Sequence, residues 1–555
     1  MVEETEERAK SRELVALSRY LILSLSLFFF AGSVFGIDPV VRTESGLVRG
    51  SGTGVVAFKG IPYAAPPLGP LRWKAPQAAL RWQGTRDAIE YCAGCPQPPF
   101  PGVPPTQSED CLGLNIWTPA KTAKDKLPVM VWIHGGGFMV GSSAQPTYDG
   151  DILARQGVVV VSFNYRLGVL GFLAHPELSR ESAEKVSGNY GLLDQIAALK
   201  WVQRNIAGFG GDPKKVTIFG ESAGGVSVFS LLVSPLAKGL FSRAIAQSGT
   251  WIFTPIRHLR ASWYGYQSAE EEGAALGDLA RLRGLSLQDL MKLPRPKADS
   301  LFDLNQPCYR PVVDECVLPG DPSELFERGE FARVPLLTGT NADEAALFMI
   351  LFGRVRTTTD YRAWLSERFG DRAADKLCAA FPVEKDPDVA DAVKRLVTDF
   401  VFLEPTRSVA LSMQSKAPVY FYHFSRVSPG GKTSKLGAHH AAELVYAFGT
   451  YKAPIMPVSP QAYDEVDMAL GKVIMGAWVQ FAKTGNPNGA GLAEWPRYTS
   501  GDERCLEFGD TIRATKLPGA SRIQMMQAIF EELRAVREKA QLGLNREIRR
   551  LGQRP

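Results

Sequence analysis

The chain is 555 residues long, 45% hydrophobic and 22% charged, the composition of a globular protein with a sizeable core rather than of a disordered one. Its formal net charge of +5 is small for that length, and Lys and Arg are interspersed with acids instead of gathered into a stripe, so nucleic acid is not an expected partner. Length alone leaves the domain number open, because large α/β enzymes grow by loop insertion on one sheet.

At the start of the chain, Leu21 to Phe30 is an apolar run preceded by Arg19 and followed by Ala31, Gly32 and Ser33. This is a signal-peptide pattern, with cleavage after Gly36. The prefix is acidic (Glu3, Glu4, Glu6, Glu7), and an uncleaved anchor over Leu21 to Ile37 is the alternative, the one case in which a membrane becomes a partner. The chain then divides into 1–36 as signal peptide or anchor, 37–520 as a single large domain, and 521–555 as a C-terminal helix and basic tail. No internal repeat, heptad run or long linker subdivides it. The cysteines number seven, so at least one is free or pairs between chains. Cys92-Ala-Gly-Cys95 is a lone CxxC with no second pair or His cluster, which favours structural cysteines over zinc or redox chemistry.

Short apolar stretches broken by Gly50, Gly52 and Gly54 predict small strands in a hairpin-like start between Leu47 and Phe58. Pro96 to Pro105 reads as an extended surface loop. Leu127–Ile133 and Val158–Phe163 are nearly continuous apolar runs of strand length, as strands buried on both faces require. Apolar residues at helical spacing follow from Asn189 to Ile206, then a strand over Lys215–Phe219. Later strands are expected at Val334–Thr338 and Pro418–His423, and Ile523, Met526, Phe530 and Leu533 lie at amphipathic spacing in a terminal helix. Strands alternating with helices predict an α/β fold with a mostly parallel sheet.

Gly220-Glu-Ser-Ala-Gly224 lies between the strand ending at Phe219 and a helical run from Gly225 to Leu232. That strand–turn–helix context is a nucleophile elbow: small residues two before and two after Ser222 leave room for a strained serine, and the unpaired N–H groups of the helix start face the place where an anion develops. His134-Gly-Gly-Gly-Phe138 follows the strand ending at Ile133, where the second half of an oxyanion hole is expected.

The segment Phe209-Gly-Gly-Asp-Pro-Lys-Lys-Val-Thr-Ile-Phe-Gly-Glu-Ser-Ala-Gly224 resembles the active-site signature of the type-B carboxylesterase family, bacterial para-nitrobenzyl-esterase-like and related to cholinesterases. Glu109–Trp117 is similar to that family's second signature, with Gly113 where an aromatic residue or Thr is usual. Phe58–Gly69, Asn164–Gly168, Gly188–Gln195 and Gly485–Asn488 agree as well, so the resemblance runs from about Val41 to Phe508. It implies the α/β-hydrolase fold, a large mostly parallel central sheet flanked by helices with loop and helical insertions. It also implies hydrolysis of a small-molecule carboxylic ester without metal or cofactor.

The resemblance implies roles for particular residues. Ser222 is the nucleophile, and the partners follow in the order acid, then His. In Gly437-Ala-His-His-Ala-Ala-Glu-Leu-Val-Tyr-Ala-Phe-Gly449 the family's base lies three positions before Glu and nine before the closing Gly, which selects His440 over His439. In Gly339-Thr-Asn-Ala-Asp-Glu344 the acid takes the final position, Glu344, with Asp343 as rival. The amides of Gly136, Gly137 and Ala223 are the oxyanion donors, Glu221 and Ser248 stand behind the three reacting groups, and Cys95 pairs with Cys111. A cholinesterase is disfavoured, since the loop from Cys95 to Cys111 contains Phe100 but no Trp for a choline cage. A non-enzymatic adhesion module is disfavoured because all three reacting residues are kept. A lipase, or a hydrolase of larger esters, carbamates or mycotoxins, stays open.

Overall fold

The computed structural model describes residues 39–249, 256–262, 267–294, 309–453, 463–529, 531, 532 and 535. The signal or anchor segment, Cys308, Phe530, Leu533, Arg534 and the rest of the basic tail from Val536 to Arg554 lie outside them.

The strands in chain order are β1 Val40–Arg42, β2 Leu47–Arg49, β3 Val56–Pro62, β4 Thr85–Asp87, β5 Gly113–Thr118, β6 Leu127–Ile133, β7 Val159–Phe163, β8 Gly211–Glu221, β9 Arg243–Gln247, β10 Leu336–Asn341, β11 Val419–Phe424, β12 Arg504–Phe508 and β13 Ile512–Lys516. Ten of them form one sheet in the order β13-β12-β11-β10-β9-β8-β6-β7-β5-β3. From β7 to β12 every neighbouring pair is parallel, and the two ends, β3–β5–β7 and β12–β13, are antiparallel. This is the mostly parallel sheet of an α/β-hydrolase fold, flanked by helices as expected.

Successive residues of a strand point to opposite faces. Accordingly Val129, Val131 and Ile133 of β6 enter one apolar core, and Met130 and Trp132 enter the other. Both faces are dry, which is why β6 and β7 read as unbroken apolar runs. A third core lies off the sheet in a helical lobe. There Phe352, Trp364, Leu365, Leu377, Val393 and Phe400 pack together with Met526 and Ile529 of the terminal helix.

Two expectations shift. The strand expected at Val334–Thr338 runs Leu336–Asn341, because Pro335 has no N–H for the ladder. The early strands do not form one hairpin: β2 pairs with β1 and β4 in a separate three-stranded sheet, while β3 crosses to the edge of the large one, leaving a single bridge between Ser51 and Ala57. Cys95 and Cys111 are bridged, whereas Cys92 is free, so the CxxC is split between two fates. Arg166 and Asp194 meet in a buried two-pronged ion pair of 2.8 and 2.7 Å that joins two of the motifs noted above. Among the described residues, no helix is long and apolar enough to cross a membrane.

Candidate active site

Ser222 occupies the turn from β8 into the Ala223–Val233 helix with φ 57° and ψ −124°, a conformation that costs a residue with a Cβ roughly 1–3 kcal/mol. The surroundings enforce it. Ser222 N–H donates to Gln247 O at the end of β9 (3.0 Å), and Ser222 O accepts from Val226 N–H (2.9 Å). A Cβ on Gly220 would collide with Gly224, and one on Gly224 with the Ile133 carbonyl of β6, so only glycine lets strand and helix close this tightly. The helix behind is wholly buried, while Ser222 itself is part exposed.

The loop after β6 folds against this turn. Gly136 and Gly137 have φ of 100° and 63°, and the Gly136 carbonyl accepts from Met139 N–H and Val140 N–H, both at 3.0 Å. A Cβ on Gly137 would meet nothing within 4 Å, so this corner looks into open space. Among the described residues, the amides of Gly136, Gly137 and Ala223 donate to no protein group. His134 is buried and stacked on Tyr165 (4.4 Å between ring centres), and burial depresses its pKa to about 4, so its ring is neutral there.

The loops after β10 and β11 bring a carboxylate to an imidazole. Glu344, fully buried, accepts from Ser248 Oγ (2.6 Å) and from Asn341 N–H (2.7 Å) on one oxygen, and its other oxygen lies 2.6 Å from His440 Nδ1. The opposite nitrogen, His440 Nε2, lies 3.0 Å from Glu221 Oε1, the residue before Ser222, without the alignment of a hydrogen bond. Burial works to lower the His440 pKa, but the charges of Glu221 and Glu344 on either side outweigh it and hold the imidazole well above its ordinary range.

The rivals go elsewhere. His439 is buried with Nδ1 2.7 Å from the His440 carbonyl, and burial lowers its pKa. Asp343 accepts from Ala438 N–H (3.0 Å) and pairs with Lys394 (3.2 Å). Three residues not singled out by sequence complete the surroundings. Glu443 is buried beneath the site, accepting from Gln247 Nε2 (2.9 Å) and Asn341 Nδ2 (2.6 Å), and burial together with Glu221 and Glu344 pushes its pKa up to about 7. Phe348 and Phe402 stand against the His440 ring at 5.3 and 4.9 Å between ring centres, and stack on each other at 6.0 Å. Glu443 could have been noticed, since it marks the His segment. Phe402, 38 residues upstream, carries no local signal. Among the described residues, no group of three or more His, Cys, Asp and Glu is arranged to hold a metal ion.

A part-exposed serine held in strain, free amides on two sides of it and a carboxylate-bound imidazole at its neighbour are parts suited to acyl transfer. Comparison with known proteins agrees. The carboxylesterase family model matches residues 37–526. The chain is 40% identical to the fumonisin B1 esterase of Sphingopyxis macrogoltabida over 87% of its own length and 89% of that protein. It is 37% identical to the para-nitrobenzyl esterase of Bacillus subtilis (strain 168), over 88% and 98% respectively. Among solved structures, a PNB esterase superposes with a TM-score of 0.74 at 36% identity, covering 88% of this chain and all of that one.

Proposed function

Since the chain belongs to the carboxylesterase family and is a carboxylic ester hydrolase, we propose that it works through an acyl-enzyme on Ser222, with His440 as base, Glu344 as acid and Gly136, Gly137 and Ala223 as oxyanion donors. The observation that carries this is the 2.6 Å contact between Glu344 and His440 Nδ1, which leaves Nε2 directed at the serine turn without an aligned partner. The hydrogen bond between a nucleophile and its base is commonly long before substrate binds and tightens in the substrate complex.

In the first half-reaction Ser222 Oγ bonds to the ester carbonyl carbon while its proton passes to His440 Nε2. Glu344 keeps the ring oriented through Nδ1–H and stabilises the imidazolium. The negative carbonyl oxygen takes the three free amides, each of which lowers the barrier by roughly 3–4 kcal/mol. The C–O bond to the alcohol breaks as His440 returns the proton to it. Water then repeats the sequence on the acyl-enzyme and restores Ser222. Glu221 and Ser248 act through His440 and Glu344.

Hydrolysis of short nitrophenyl esters by the purified protein and by Ser222→Ala tests the assignment. The variant is expected to lose roughly 10⁶-fold in kcat, and equal rates would overturn it. A second reading with the same chemistry, a hydrolase of bulkier esters, is favoured by the 40% identity to fumonisin B1 esterase. A panel varying acyl and alcohol size independently separates it from a short-chain esterase or a lipase. The apolar run from Leu21 to Phe30 supports export by a signal peptide. Secreted protein beginning at Ile37 is the expected result, and membrane-bound protein retaining Met1 would favour an anchor.

A further inference from the structure

Glu344 and His440 lie on separate loops, 342–344 after β10 and 437–440 after β11, and a 2.6 Å contact between them demands that the loops keep register. Asp343 supplies that register twice over. Its N–H donates to Ala438 O at 3.0 Å, and its carboxylate accepts from Ala438 N–H at 3.0 Å, so one residue closes a ring on the backbone two positions before His440. Asn341 Nδ2 adds a third tie, to His439 O at 2.8 Å. Gly437 packs directly on the Asp343 carboxylate, where any Cβ would collide with it.

The other oxygen of Asp343 is 3.2 Å from Lys394 Nζ on the Val389–Val397 helix of the lobe. That helix continues without a break into a π-helical segment, Thr398–Leu403, and then into Glu404–Met413. Lys394, Thr398 and Phe402 recur every fourth residue along this run, and the wider turn of a π segment keeps such a spacing on one side. All three face the loops: Lys394 holds Asp343, Thr398 Oγ1 accepts from Ala345 N–H at 3.1 Å, and the Phe402 ring lies against His440. A π segment inside a helix is frequent at functional sites, and here it aligns the three contacts.

We propose that Asp343, gripped by Lys394, is a positioning residue that braces the His440 loop against the Glu344 loop from the helical lobe. This rests on the assignment of Glu344 and His440 above. The carboxylate does not meet the imidazole. It sets where the imidazole stands, and a misplacement of about 1 Å in such an arrangement costs about 10²-fold in rate.

The test compares wild type, Asp343→Ala, Asp343→Asn and Lys394→Met in kcat, KM and the pH profile of kcat/KM on a nitrophenyl ester. The groups that face His440 and set its acid limb are Glu344, Glu221 and the neighbouring His439, with Glu443 acting on the two carboxylates. Asp343→Ala is expected to lower kcat by roughly 10- to 100-fold with KM within about twofold, and to move the acid limb to lower pH as the Glu344 contact loosens. Asn keeps an acceptor for Ala438 N–H, so Asp343→Asn recovers most of the loss. Lys394→Met costs a few-fold alone and nothing further on the Asn background. Equal losses for Ala and Asn, a change in KM alone, or an unmoved acid limb would overturn the proposal. Should Asp343→Ala not fold, the part-exposed Lys394→Met carries the test with Asp343→Asn. Wild-type activity that is lost by orders of magnitude in His440→Ala and in Glu344→Ala secures the underlying assignment independently, so its failure is distinguishable from failure of the brace.

Discussion

His440 stands between two carboxylates at different nitrogens, and their positions give the proposed base a pH signature. Glu344 meets Nδ1 at 2.6 Å and is itself held by Ser248 and Asn341, whereas Glu221 lies 3.0 Å from Nε2, the nitrogen that exchanges protons with Ser222 in the proposed mechanism. Both charges favour the imidazolium, which is why the His440 pKa stands well above its ordinary range despite burial. Hydrolysis needs the neutral ring, so activity rises with pH through that raised pKa. Removing the Glu221 charge destabilises the imidazolium and lowers the pKa. Glu221→Gln is therefore expected to carry the acid limb of kcat/KM toward lower pH by roughly 1–3 pH units, while kcat on the plateau falls because the imidazolium of the transition state loses a counter-charge. An acid limb that stays in place or moves upward would contradict this. At this scale adjacent acids and adjacent histidines look alike in the sequence. Asp343 and Glu344, or His439 and His440, are separated only by which way each side chain leaves its loop, and that depends on contacts from β9, β11 and the lobe. The sequence separated them through the family's spacing and not through chemistry.

At the scale of elements, the turn after β8 and the loop after β6 were readable because each has a local cause. Gly220 and Gly224 bracket Ser222 where strand and helix nearly touch, and three glycines after a dry strand have few other uses. Gly136 is the more demanding of the two glycines proposed as oxyanion donors, with φ 100° and a Cβ that would strike the Val140 carbonyl. Gly136→Ala is expected to swing its amide away from the site and to lower kcat by roughly 10²–10³-fold, the cost of one oxyanion donor, with little change in KM. Rates within a few-fold of wild type would show that the Gly136 amide is not a donor. The lobe was not readable in the same way. Its helices bury their apolar stripes against one another, not against the sheet, and the π segment that turns Phe402 toward His440 has no signature in the string Thr398–Leu403. The small sheet of β1, β2 and β4 escaped because strands of three residues are too short to show a period.

Across the whole molecule, parts distant in sequence converge on the glycine loop after β6, the proposed oxyanion loop. The Cys95–Cys111 bridge closes the Pro-rich loop, and Gln97, two residues beyond Cys95, donates to the Gly141 carbonyl (2.8 Å) while accepting from Gly141 N–H (2.7 Å). The far end of the loop is fastened separately: Arg72 grips Glu109 with two nitrogens and the carbonyls of Arg283 and Leu285 with a third. The disulfide therefore acts mainly on the unfolded chain, by shortening what it can explore, while Gln97 and Arg72 hold the folded loop in place. A bridge spanning 16 positions is worth about 3 kcal/mol on loop entropy. The double variant Cys95→Ser, Cys111→Ser is expected to unfold at a lower denaturant midpoint, with a stability loss of about 3 kcal/mol, yet to keep kcat within about twofold at low temperature. Unchanged midpoints would mean that the bridge adds nothing to these ties. A collapse of kcat in protein that is still folded would mean that the bridge, and not Gln97, holds the oxyanion loop.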